Sequence, residues 1–283
     1  MTGWISAPRD REKRFPPPSV RSLPELGRLT GRGDTLNLER LLETKPDVVI
    51  DFGSINDTYR SLADRVQAQT GIPYLLIDGR FDSTATAYRL LADILGVKER
   101  GEALAREAEA HFARVDRVVA ATPSARRPRV YLARGPDGLE SGSRGSINTE
   151  IIERVGAVNV VEVLRERGGI VRVSPEQVIA WAPDTIMTLD KAFARAAPSR
   201  AEWKLMSAVA SGRVFVSPSL PWGFIDAPPS VNRLSRMTWL LHKLYPAATG
   251  GDLGEETRAF YRMFYQVELS DADLTDILDA PND

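Results

Sequence analysis

Short runs of consecutive apolar residues alternate along the chain with longer stretches in which apolar residues recur every three or four positions. Val48-Val49-Ile50-Asp51-Phe52 and Tyr74-Leu75-Leu76-Ile77 are runs of the first kind. Their continuous hydrophobicity predicts strands buried on both faces, as in a parallel sheet. Between them Leu62, Ala63 and Val66 mark one face of a helix over about 59–70, and Gly71 stops it. A short helix over about 36–44 comes first and ends at Pro46-Asp47. Strand, helix and strand in this order form a βαβ unit.

Residues 84–122 are nearly all helix formers, divided at Gly96 into helices over about 84–95 and 98–121. The second carries an apolar stripe at Leu104, Ala108, Phe112, Val115 and Val119 and would be about 35 Å long. A helix of that length between two strand-rich regions predicts a stiff connector; the alternative is one more packing helix in a single large sheet. Beyond it, strands are predicted at 129–133, 158–161, 185–189 and 214–216. Helices are predicted at 149–155, 175–181, 201–210, 230–244 and 254–267. Residues 8–24, charged and centred on Pro16-Pro17-Pro18, predict irregular chain lying on the surface.

One unit occurs twice. Leu38-Glu39-Arg40-Leu41-Leu42-Glu43-Thr44-Lys45-Pro46-Asp47 matches Pro175-Glu176-Gln177-Val178-Ile179-Ala180-Trp181-Ala182-Pro183-Asp184 at a constant offset of 137, the separation of Glu39 from Glu176. Thr70-Gly71 before Tyr74-Leu75-Leu76 is then echoed by Ser211-Gly212 before Val214-Phe215-Val216. Pro-Asp between helix and strand is common, but two matched elements in one order argue for duplicated lobes. The predicted fold is α/β. Two lobes with mainly parallel sheets and flanking helices are joined by a long rigid α-helix, with residues 1–83 as the N-terminal lobe, 84–123 as linking helices and 124–283 as the C-terminal lobe.

Two lobes on a rod make a cleft, and ligands bind beyond the carboxyl ends of parallel strands. The loops at 27–35 and 141–148 are Gly-rich, carry arginine and open helices, whose N-termini suit anions. The cleft candidates are Arg28, Thr30, Arg32, Ser54, Asn56, Tyr59, Arg80, Ser141, Arg144, Ser146, Asn148, Trp222 and Arg233. Arginine offers a rigid fork for oxyanions and carboxylates, the hydroxyls and amides add neutral donors, and Tyr59 and Trp222 could stack on an organic chelator. This weighting favours an anionic ligand over a free divalent cation, which would need His and carboxylates together.

The chain of 283 residues has a net charge of -1, no cysteine and two histidines. Its charge balance gives no reason to expect a nucleic-acid partner. The absence of cysteine excludes disulfides, thiolate chemistry and cysteine-ligated clusters. No P-loop, His-Glu-x-x-His or nucleophile elbow occurs, and no apolar run is long enough to insert in a membrane. His111 is expected to be a solvated helix residue and His242 a structural one. No catalytic residue, resident metal site or cofactor is expected.

Three segments resemble the metal-complex branch of the periplasmic solute-binding proteins, the ferric siderophore, haem, cobalamin and metal-oxyanion binders. They are Asn37-Leu38-Glu39-Arg40 before Lys45-Pro46-Asp47, Ser141-Gly142 leading to Ser146-Ile147-Asn148, and Ser174-Pro175-Glu176-Gln177-Val178. Ile225-Asp226-Ala227-Pro228-Pro229-Ser230-Val231-Asn232-Arg233 is similar to the last cleft loop of some iron and molybdate binders. The resemblance implies a monomeric, periplasmic, non-enzymatic capture protein of an ABC importer. Its ligand would be a ferric chelate or metal oxyanion, and Glu39 and Glu176 would dock on the permease dimer. Gly168-Gly169-Ile170-Val171, where cobalamin binders resemble Pro-Trp-Pro, argues against cobalamin. The resemblance also implies a secretion signal and a first strand and helix ahead of Met1, so the N-terminal lobe is expected to be incomplete as written. A cytoplasmic ligand sensor of the same fold is the rival reading.

Overall fold

The computed structural model describes residues 1–28, 35–162, 169–223 and 230–278. The first region runs α1 (Leu38–Glu43), β1 (Val49–Gly53), α2 (Asp57–Thr70) and β2 (Tyr74–Asp78). Helices α3 (Thr84–Ile94) and α4 (Lys98–Ala121) follow. The second region contains β3 (Arg129–Ala133), β4 (Glu140–Gly142), α5 (Glu150–Arg154), β5 (Val158–Asn159), β6 (Ile170–Arg172), α6 (Pro175–Trp181) and β7 (Thr185–Thr188). It continues through α7 (Lys191–Ala196), α8 (Ser207–Ala210), β8 (Val214–Val216), α9 (Asn232–Leu244), α10 (Pro246–Thr249), α11 (Leu253–Tyr265) and α12 (Asp271–Leu278).

Strands β1 and β2 pair in parallel, and a second parallel sheet has the order β5-β3-β7-β8. A small antiparallel pair, β4 with β6, carries the Ser-Gly loop. The two parallel sheets differ in burial. Tyr131, Leu132, Ile186 and Met187 on β3 and β7 are fully buried, as strands covered on both faces should be. Every residue of β1 is only half-buried, and so are Tyr74, Leu75 and Leu76 of β2, which corrects the expectation of two buried strands. In the described chain this sheet has two strands, so each has one neighbour to cover it.

The repeat is visible in backbone detail. Val49 pairs with Tyr74 and its mate Ile186 pairs with Val214, so the register is the same in both copies. Lys45 and Ala182, at matching positions before Pro46 and Pro183, hold φ of 46° and 45°, a left-handed conformation costly for non-glycine residues. Thr70 and Ser211 each donate a 2.7 Å hydrogen bond to the carbonyl four residues earlier, just before the left-handed Gly71 and Gly212.

Helix α4 has the predicted bounds, but its stripe is partly displaced. Ala108, Val115 and Val118 enter the main core, with Phe112 and Val119 packed beside it. In its first turns the buried residues are the small Gly101 and Ala105 rather than Leu104. Here α3 crosses closely: a Cβ on Gly101 would lie 2.0 Å from that of Ala92. His111 is not solvated as expected. Its side chain is 14% exposed and sits edge-on to Phe260, and burial lowers its pKa. His242 is structural, 3.2 Å from Glu256, which also binds Arg114 at 2.5 Å.

Two further expectations fail. Residues 8–24 are irregular but not merely superficial. Phe15 is 1% exposed against Tyr261, and Arg14 pairs with Asp273 at 2.8 Å and Asp276 at 2.9 Å on α12. The helix predicted over 201–210 is confined to Ser207–Ala210, because the preceding turns bury Trp203 and Met206 in the second core; α7 and α12 were not anticipated.

The α3–α4 crossing sets the sign of one substitution. Gly to Ala in an open helix stabilises by about 0.5–1 kcal/mol. At Gly101 the added methyl has no room, and overpacking costs about 1–3 kcal/mol. Gly101→Ala is therefore expected to lower the urea unfolding midpoint; a raised midpoint would show that the helices separate freely.

Candidate functional site

Helix α9 opens with an arginine in the core. Arg233 is 2% exposed. Its guanidinium donates to the Gly79 carbonyl at 3.0 Å, to Glu150 at 2.7 Å and to the Ile147 carbonyl at 3.4 Å, and it lies 3.9 Å over the Phe81 ring. The other oxygen of Glu150 accepts the Phe81 backbone N–H at 3.1 Å. Three segments converge here: the loop leaving β2, the loop entering α5, and α9. The arginine proposed as a ligand contact is thus also the joint of the molecule.

A cavity of about 340 Å³ adjoins this joint, walled by Phe52, Phe81, Tyr88 and Leu91 and bordered by Ser230 and Arg233. Of the cleft candidates among the described residues, only Arg233 lines it. Phe52, Phe81 and Tyr88 were not anticipated, since single aromatic residues in strand ends and helices read as core. Glu150 was missed too: its partner is 83 residues away and no local spacing marks it.

The remaining candidates fall into groups. Arg80 lies between Gly79 and Phe81, both bound at the joint, and its exposed guanidinium makes no hydrogen bond or ion pair in the described chain. Ser141, Arg144, Ser146 and Asn148 share one loop. The hydroxyls of Ser141 and of nearby Ser143 are buried with no hydrogen-bond partner among the described residues, whereas Ser146 accepts from the Asn148 N–H at 3.2 Å. Arg144 donates to the Asn159 carbonyl at 3.1 Å. The free amides expected to hold an anion here are partly satisfied from within, since Gly145 N–H donates to Glu153 at 2.9 Å.

Asn56 caps α2, accepting from the Tyr59 N–H at 3.0 Å, so its carbonyl oxygen is engaged. Ser54 and Tyr59 are half-buried near that cap. Arg28 donates to Ser6 at 2.8 Å on the N-terminal segment. Trp222 is half-buried between Trp4 and Tyr265, at centroid distances of 5.5 and 6.1 Å. Thr30 and Arg32 lie outside the described residues, as do Gly168 and residues 225–229. Glu39 and Glu176 occupy the second positions of α1 and α6, both exposed, behind the caps Asn37 and Ser174.

Parallel-sheet lobes meeting across a rod and a buried polar joint, with loop groups gathered beyond the strand ends, define a two-lobed binding protein. Residues 14–220 match the periplasmic binding protein family, and the chain belongs to it. This is a family of binding proteins rather than enzymes. The ABC transporter solute binding protein from Sulfurospirillum deleyianum is 27% identical with a TM-score of 0.89, over 98% of this chain and 87% of that one. The molybdate periplasmic binding protein MolA of Haemophilus influenzae shares the fold at 22% identity and a TM-score of 0.71, over 94% and 87% of the two chains. The uncharacterized ABC transporter substrate-binding lipoprotein YvrC of Bacillus subtilis is 21% identical over 193 residues, which is 65% of this chain and 59% of that protein's length.

The joint is testable by a double-mutant cycle. Glu150→Gln removes a carboxylate charge held 2.7 Å from the buried Arg233 guanidinium, a loss expected to cost about 3–5 kcal/mol in urea unfolding. Glu150→Gln combined with Arg233→Met is expected to recover most of that, because a buried pair replaced as a whole is nearly neutral. If the double substitution instead costs the sum of its parts, the two residues act independently.

Proposed function

We propose that this chain is the periplasmic solute-binding component of an ABC importer, a monomer that captures an anionic ferric chelate or related metal complex between its lobes and delivers it to the permease. The observation that carries the ligand class is the joining of an apolar aromatic cavity to a cationic seam. Phe52, Phe81, Tyr88 and Leu91 offer an oily wall of a size suited to an organic chelator. Arg80 sits in the chain between Gly79 and Phe81, makes no side-chain hydrogen bond or ion pair among the described residues, and is proposed to meet the carboxylate or phenolate edge of such a ligand. Similarity to the ABC transporter solute binding protein from Sulfurospirillum deleyianum, at a TM-score of 0.89, supports the transport role. Glu39 and Glu176, one on each copy of the repeat, are proposed to dock on basic side chains of the permease.

A second reading rests on different atoms. The buried, unpartnered hydroxyls of Ser141 and Ser143 are suited to a compact oxyanion such as molybdate or tungstate, which would be ringed by donors rather than by aromatic rings.

Tryptophan fluorescence titration with ferric citrate, a ferric hydroxamate, haem, molybdate and tungstate separates the readings. A saturable change with a ferric chelate, weakened about tenfold or more by Arg80→Ala through loss of a charge-assisted contact, is the expected result. Saturation with molybdate alone, sensitive to Ser141→Ala and Ser143→Ala, would replace the first reading by the second. No change with any of the five would refute both.

A further inference from the structure

The two copies of the repeat carry more in common on their outer faces than a glutamate. From Leu38 to Thr44 the side chains run half-buried, exposed, exposed, buried, exposed, exposed, half-buried, and from Pro175 to Trp181 they run in the same order. The buried position is Leu41 in one copy and Val178 in the other, each anchoring its short helix to its own core. Glu39 and Glu176 occupy the second place. The fifth is held by large aliphatic residues, Leu42 at 45% and Ile179 at 53% exposure.

One exposed leucine on a surface needs no explanation. Two exposed aliphatic side chains at matched places, each three residues beyond a matched glutamate, call for one. Positions three apart on a helix are neighbours on its surface, so each acid and its aliphatic companion form one contiguous patch. The positions around them are not held to the same chemistry: Arg40 corresponds to Gln177, and Glu43 to Ala180. Acid and aliphatic are the shared features of the two outer faces.

We propose that Leu42 and Ile179 are docking contacts. With Glu39 and Glu176 they form two copies of one acid-plus-aliphatic footprint, made for a two-subunit partner that offers a basic side chain beside an apolar socket in each subunit. This rests on the reading that the chain serves an importer, and the partner is then the permease dimer. The two halves of the footprint divide the work. Exposed glutamates steer the encounter and make its rate depend on salt, while aliphatic side chains seated in sockets slow dissociation.

The test uses the full chain and the permease–ATPase complex of its own transporter in lipid nanodiscs, with association and dissociation followed by biolayer interferometry. Leu42→Ser/Ile179→Ser is expected to raise the dissociation rate about tenfold or more, leaving the association rate and its salt dependence unchanged. Glu39→Gln/Glu176→Gln is expected to lower the association rate and flatten its salt dependence. Both pairs lie on exposed positions, so unchanged thermal unfolding certifies that each variant is folded. If the serine pair dissociates within about twofold of the wild-type rate while the glutamine pair is weakened, the aliphatic contacts are refuted and the importer reading stands. If the wild-type chain fails to bind the complex at all, the reading and the proposal fall together. A wild-type dimer in sedimentation velocity that the serine pair abolishes would overturn the proposal and assign this face to a second copy of the chain.

Discussion

The Arg233 guanidinium touches everything that must be held together. It sits 2.7 Å from Glu150, 3.0 Å from the Gly79 carbonyl and 3.9 Å from the Phe81 ring, almost out of reach of water. Taking such a cation from water is costly, and the cost is recovered only when its partners are all in place. The loop after β2, the loop before α5 and the first turn of α9 are therefore fixed by a single condition. Were one to shift, part of that compensation would be lost. The neighbouring Arg236, one turn further on, is also fully buried; it reaches the Leu220 carbonyl, which Tyr261 also contacts at 2.8 Å. The start of α9 thus places two cations in the interior, one paired with a carboxylate and one held by a carbonyl.

The repeat supplies the frame on which this joint acts. Each copy makes the same moves in the same order: a capped short helix, a left-handed residue before Pro-Asp, a parallel strand, and a hydroxyl-bearing residue before a left-handed glycine. The copies differ in what surrounds them. β7 has β3 and β8 as neighbours and is fully buried, while β1 has β2 and remains half-exposed. The same local chemistry therefore tolerates two different degrees of burial. This explains why a continuous apolar run could be read as a strand with confidence in its direction but not in its depth.

The fold was legible where the signals are local. Gly71, Gly96 and Pro46-Asp47 mark element ends because their backbone preferences act within a few residues, and the bounds of α4 and α6 follow from such signals. The site was legible only in part. Glu39 and Glu176 stand out in the sequence because the repeat pairs them. Arg80 and the 141–148 loop stand out because arginine and Gly-Ser turns suggest anion chemistry. The joint itself was hidden: Glu150 reads as an ordinary helix-opening acid, and Phe81 as core. Phe15 was misplaced because the prolines and charges around it dominate the local composition, while its burial depends on Tyr261, far along the chain. Long-range pairing leaves no trace in spacing, so the parts of the site made by one segment were readable and those made by three were not.

The joint also limits how the lobes can move. Glu150 and Arg233 lie together in the second region, so opening the seam wide would draw the Gly79 carbonyl and the Phe81 ring away from the guanidinium and the Phe81 N–H away from Glu150. Two hydrogen bonds to charged groups are lost in such a state, each worth about 1.5–3 kcal/mol, which disfavours it. A ligand would have to bind the opened form more tightly by the same amount to populate it, with no gain in affinity left over. Helix α4 resists in the same sense, because it is buried against α3 at Gly101 and against the main core from Ala108 to Val118. Capture between these lobes therefore depends on side chains and loop groups already near their places, with small adjustments of the seam. A ligand held at this cavity would be selected by the chemistry of its walls, such as the Phe52, Phe81 and Tyr88 rings, rather than by closure around whatever enters.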